Sequence, residues 1–98
     1  CSSSSAHAKC KVLTPLADQL ISYMASENYE MAFSTINTIY WEIKDEPEVT
    51  VDGSIAGRIE NTKGMASLIV NGGAETFGVA RVMSTIESNM RQIKSMCS

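Results

Sequence analysis

The sequence predicts an α+β two-layer sandwich: a helix, an antiparallel β-meander of three or four strands and a second helix, with both helices on one sheet face. Three observations lead there. Apolar residues recur at helical spacing near both ends of the chain, β-branched and aromatic residues crowd the stretch from Met31 to Ile43, and clusters of turn-forming residues divide the middle. The middle also fits an alternative architecture, an all-α four-helix bundle with helices over 28–44 and 54–70.

The first helix is expected over 15–26. Thr14 can cap the free amides and Pro15 loses nothing at the first helical position. Leu13, Leu16, Leu20 and Met24 then share a face, with Asp18 suited to the first turn. From Met31 to Ile43 two templates compete. Thr35, Ile36, Thr38, Ile39, Tyr40 and Trp41 favour a strand by residue type, whereas Tyr29, Phe33, Ile36, Tyr40 and Ile43 recur at spacings of four and three. The turn residues that follow tip the reading to strands. Asp45-Glu46-Pro47-Glu48 reads as a turn, and Val49-Thr50-Val51 runs into Asp52-Gly53, a hairpin signal. Ser54 to Glu60 reads as an extended run containing Gly57, a weak helical interior, Asn61-Thr62-Lys63-Gly64 as another turn, and Met65 to Val70 as a short strand closed by Asn71-Gly72-Gly73. The clearest element is a helix from Glu75 to Met96, on which Val79, Met83, Ile86, Met90, Ile93 and Cys97 form one stripe and Phe77 and Val82 widen it.

With 98 residues, 44% hydrophobic and 19% charged, the chain has the composition of one globular domain. Residues 1–13 read as a flexible Ser-rich tail and 14–98 as the domain. No apolar stretch is long enough to span a membrane. The net charge is −3, and the acids Glu27, Glu30, Glu42, Asp45, Glu46, Glu48, Asp52 and Glu60 face only Lys44 and Arg58 in the middle of the chain. Phosphate binding relies on clustered Lys and Arg, so nucleic acid is not an expected partner.

Catalytic chemistry has little to build on. His7 is the only histidine and lies in the tail, which leaves no histidine-based triad and no multi-histidine metal site; Cys1, His7 and Cys10 match no zinc spacing. Cys97 closes a helix C-terminus, a setting that disfavours a thiolate nucleophile. The segment Asn71 to Gly78 follows one predicted element and opens another, yet it matches neither the P-loop nor the dinucleotide fingerprint. No catalytic residue, metal or cofactor is expected. Helix, three strands, helix is also the order of double-stranded-RNA-binding domains, and Val51-Asp52-Gly53 resembles a turn found there. The basic cluster at the start of that family's last helix has no counterpart here, where position 75 is Glu, so the resemblance is one of topology.

The functional expectation is therefore a small exported interaction domain acting through protein–protein contacts. Its partner would be another protein or a second copy of this chain, and the analogy in fold is to small secreted toxin- or effector-like subunits. Cys1 followed by Ser2 to Ser5 resembles the start of a mature bacterial lipoprotein, which implies a lipid on Cys1 and membrane association only through it. An odd cysteine also suits an interchain link. The alternative function is a carrier of a small apolar ligand between the helices and the sheet. Tyr40, Trp41, Met83 and Met90 are the candidate partner or ligand contacts, and the ligand reading adds Phe33.

Cysteine placement ties these readings together. Cys10 and Cys97 extend the two helical stripes outward and are expected to form a disulfide, which suits a secreted or periplasmic location. Five alternating elements would leave the two at opposite ends of the domain, beyond the roughly 7 Å that a disulfide allows between α-carbons. Pairing thus favours four strands over three, or the all-α bundle.

Overall fold

Four stretches of the chain place apolar residues three and four apart, and each forms an α-helix that buries that stripe. The computed structural model describes residues 9–46 and 54–97. The helices are α1 (Cys10–Ala25), α2 (Tyr29–Ile43), α3 (Ile55–Asn71) and α4 (Val79–Cys97), with a 3₁₀ turn at Ala74–Thr76 before α4. Each helix packs against two others, in the cyclic order α1, α2, α3, α4. No strand occurs among the described residues, so the α+β sandwich is overturned in favour of the four-helix all-α architecture. The Asp52-Gly53 hairpin signal lies outside the described residues.

The correction is clearest in α2. Ala32, Thr35, Ile36, Ile39 and Ile43 are buried, an i, i+3, i+4, i+7, i+11 series that only a helix brings to one side. The β-branched residues that argued for a strand are accommodated locally. Thr35 Oγ1 donates to the Met31 carbonyl at 2.9 Å and Thr38 Oγ1 to the Ser34 carbonyl at 3.2 Å, so the hydroxyls are satisfied within the helix. Burial of the stripe then outweighs a propensity difference of well under about 1 kcal/mol per residue.

The same holds in α3, where an extended run, a turn and a strand were expected and one helix forms. Ser54 Oγ accepts from the Gly57 amide at 2.9 Å, which caps the N-terminus, and Ile55, Ile59, Thr62 and Ala66 are buried at spacings of four, three and four. The expected turn at 61–64 is helical interior. Gly72 ends the helix with a φ of 87°, a left-handed conformation glycine adopts without a Cβ clash.

α1 begins at Cys10, not at Pro15, so residues 10–13 form a helical turn and Pro15 lies inside the helix. Proline there leaves the Lys11 carbonyl without its usual amide donor. Two gains offset this: Leu13 is fully buried, and Cys10 is bonded to Cys97 in the last turn of α4, with α-carbons 5.6 Å apart. At its other end α1 closes in a Schellman arrangement, with the Asn28 amide on the Tyr23 carbonyl at 2.8 Å and the Glu27 amide on the Met24 carbonyl at 3.2 Å. Glu27 holds the left-handed position, at φ 59°. α4 starts at Val79, a turn later than expected, and Phe77 lies in the preceding loop, 59% exposed, instead of widening the buried stripe.

The core is not uniform along the bundle. Towards the disulfide it is filled by Leu13, Ile39, Ile43, Ile59, Met90 and Ile93; towards the opposite end the buried residues include the small Ala32, Ala66 and Ala74. Polar ties add register. Asn89, buried on α4, donates to Asn61 Oδ1 on α3 at 2.6 Å, Lys63 donates to the Glu46 carbonyl beyond α2 at 2.7 Å, and Lys94 on α4 pairs with Asp18 on α1.

Three outcomes are expected from this packing. Gly64, in the interior of α3 with open space where a Cβ would stand, should stabilise the fold by about 1 kcal/mol when changed to Ala. Glu27→Gly should raise stability by roughly 0.5–1 kcal/mol by relieving the left-handed backbone. Urea unfolding curves check both, and a lowered midpoint in either variant contradicts the assigned backbone. Reducing the Cys10–Cys97 bond, which spans a sequence separation of 87, should cost about 4–5 kcal/mol in the chain-entropy model. A loss below about 1 kcal/mol on that scale would show that the cross-link barely restricts the unfolded chain.

Candidate functional site: two apolar grooves beside the start of α4

At the end of the bundle away from the disulfide, several large apolar side chains stand outside the core. Tyr29 and Phe33 lie on the first two turns of α2 and are 48% and 38% exposed. They continue the stripe of Ile36, Tyr40 and Ile43 towards the end of the bundle and remain exposed there. Together with Met24 from the last turn of α1 and Val79, Ala80, Met83 and Ser84 from the first turns of α4, they enclose a groove of about 440 Å³. Its walls are predominantly apolar, with the Ser84 hydroxyl and the Tyr29 phenol among the polar groups available. That volume falls within the range typical of small-molecule sites.

A second groove of about 450 Å³ lies on the other flank of α4, between Met65 and Leu68 of α3, Thr76 and Phe77 of the preceding loop, and Arg81, Val82 and Thr85 of α4. It mixes the two kinds of wall: Met65, Leu68, Phe77 and Val82 are apolar, while Arg81, Thr76 and Thr85 carry polar ends. A smaller recess of about 210 Å³ shares Phe33 and Val79 with the first groove and Leu68 with the second, and is bounded by Gly72 and Ala74. The loop between α3 and α4 therefore lines the second groove and the smaller recess. Gly78 has a φ of 89°, which lets the chain turn sharply into α4.

Of the residues expected to contact a ligand, Phe33 and Met83 do line the first groove, Met83 with only 2% of its surface exposed. Met90 does not; it is fully buried in the bundle core. Tyr40 and Trp41 stand on the last turns of α2, near the disulfide and away from the grooves. On a strand they would face opposite sides. On the helix they are adjacent around the axis: Tyr40 packs partly against the core, Trp41 is 60% exposed, and their rings meet edge to face at 6.1 Å between centroids. Lys44 Nζ sits 5.1 Å from the Trp41 ring centre, a cation–π contact. The structure thus brings Phe33 and Met83 together and separates both from Met90 and Trp41.

Met24, Tyr29, Val79, Met65, Leu68 and Arg81 were not foreseen as contacts. The sequence held one signal for them: stripe residues within a turn of a helix end have no partner layer beyond them, which singles out Met24, Tyr29 and Val79 once helix ends are known. Cys1 and His7 lie outside the described residues. Among the described residues no group of three or more His, Cys, Asp or Glu side chains gathers as metal ligands. No described helix is long and apolar enough to cross a membrane.

The fold and grooves define a small four-helix domain tied at one end by a disulfide and carrying apolar recesses at the other. Neither a family model, nor a curated protein, nor a solved structure matches this chain.

Trp41 is the only tryptophan, so its fluorescence reports one site. Its emission in the folded protein should be that of a water-exposed indole, accessible to acrylamide and little shifted by unfolding in urea. Blue-shifted emission that moves red on unfolding would place Trp41 in an apolar environment and contradict its position here.

Proposed function

We propose that this domain carries a small apolar ligand in the groove between Met24, Tyr29, Phe33, Val79, Ala80 and Met83. One observation carries the reading: two large aromatic residues of α2, Tyr29 and Phe33, stay exposed around an apolar recess of ligand size whose inner wall is the buried Met83. Exposing such side chains forgoes on the order of 1.5–3 kcal/mol of burial each, and a bound apolar molecule would recover part of it. Met24 and Met83 suit the role because the flexible thioether side chain adapts to ligands of different shape. Exchange between an oxidising compartment and a ligand source fits the Cys10–Cys97 bond, which supports an extracellular or periplasmic setting.

The protein–protein reading rests on Tyr40 and Trp41. Tyr40 packs partly against the core, and a single exposed indole with a lysine over it is ordinary protein surface. The recess is the more specific feature.

The neutral fluorophore N-phenyl-1-naphthylamine tests the proposal. Saturable fluorescence enhancement is expected, and Ala80→Trp, which places an indole in the groove from an exposed helix position, should weaken binding by at least about tenfold, a change of roughly 1.4 kcal/mol. Met90→Leu, a volume-conserving change in the core, should leave binding intact. Absence of saturable binding, or equal binding by Ala80→Trp with its helical circular dichroism preserved, sinks this reading.

A further inference from the structure

The second groove differs from the first in carrying a cation. The chain has eight Lys and Arg residues, all within the described part, and five of them are paired with carboxylates: Lys9 with Glu42, Lys44 with Asp45, Lys63 with Glu60, Arg91 with Glu87 and Lys94 with Asp18. Lys11 is an exposed residue on α1, and Arg58 has its Nε buried on α3. Arg81 alone combines the absence of a carboxylate partner among the described residues with a place on the wall of an apolar groove. In a chain of net charge −3, where acids outnumber bases, an arginine in no ion pair among the described residues beside an apolar surface is a specific arrangement.

We propose that this groove binds a single-chain carboxylate amphiphile, with the alkyl chain against Met65, Leu68, Phe77 and Val82 and the carboxylate on the Arg81 guanidinium. Each part of the groove matches a part of that ligand. The planar guanidinium presents two parallel N–H donors to a carboxylate, a geometry that a lysine ammonium does not offer. Thr76 borders the same groove at its polar rim, whereas the Thr85 hydroxyl donates to the Arg81 carbonyl at 3.0 Å. The apolar walls give affinity to the chain, and the cation selects the head group, so that a fatty acid is held and the corresponding alcohol is held less well. A volume of about 450 Å³ suits one alkyl chain. The inference concerns a different groove from the one beside Phe33 and does not depend on a ligand being bound there.

Methionine methyl groups distinguish the two grooves directly, since Met65 lines the second whereas Met24 and Met83 line the first. Protein labelled with carbon-13 at the methionine methyls is titrated with laurate and with 1-dodecanol. Laurate is expected to shift the Met65 resonance saturably and to bind more tightly than the alcohol. Arg81→Gln should weaken laurate binding at Met65 about tenfold and leave dodecanol unchanged, because a hydrogen bond to a charged group is lost. Arg81→Lys, which keeps the charge without the fork, should fall between. Arg81 is exposed, so neither variant threatens the fold. Laurate shifting only Met24 and Met83 would overturn this inference while leaving the first groove's ligand reading intact. Equal affinity for laurate and dodecanol at Met65, insensitive to Arg81→Gln, would overturn carboxylate recognition, and no shift at any of the three methyls would overturn both readings.

Discussion

The pairing of α1 with α4 is the constraint on which the rest of the bundle depends. These are the first and last helices, and they must come together across the whole chain before either apolar stripe is covered. Closing so long a loop costs entropy that local contacts do not return. The Cys10–Cys97 bond removes that cost from folding by making the closure permanent, and Lys94 with Asp18 continues the seam along the helices. With α1 and α4 adjacent, α2 and α3 complete the bundle: each packs on the other and on one of the outer pair.

This closure also makes the two ends of the molecule different. At the disulfide end, Leu13, Ile43 and Ile93 fill the centre of the bundle, and Lys9 with Glu42 lies across its edge at 3.6 Å. At the other end the helices are joined by the loops 26–28 and 72–78, and the buried positions include Ala32, Ala66 and Ala74. Alanines do not fill the space that a ring of leucines would. The aromatic side chains of Tyr29, Phe33 and Phe77 are left at the rim, and grooves form beside the first turns of α4. The grooves thus lie at the end of the bundle where no cross-link holds the helices.

The two grooves divide the available chemistry. The one beside Phe33 offers shape and apolar contact; the one beside Arg81 adds a guanidinium that forms no ion pair among the described residues. Trp41, one of the candidate contacts, lines neither groove, because the helical turn that buries Ile39 and Ile43 directs it to solvent beside Lys44.

How much of this was legible depended on whether a segment's own residues decided its structure. The stripe from Val79 to Cys97 names α4 without help, because spacings of four and three sustained over five turns leave no other way to bury those side chains together. Leu13, Leu16, Leu20 and Met24 name α1 likewise, although its true start at Cys10 depends on the bond to α4. For α2 and α3 the sequence offered both periods. Thr35, Thr38, Gly57 and Gly64 weigh locally against a helix, and only contact with neighbouring helices supplies the burial of Ile36, Ile39, Ile59 and Ala66 that outweighs them. The sequence by itself determined the apolar stripes, the charge balance and the cysteine positions whose pairing requires an even number of alternating elements. Tertiary structure alone decided which stripe residues become core and which become groove, because that depends on how large the side chains facing them from other helices are, a relation no single stretch of sequence contains.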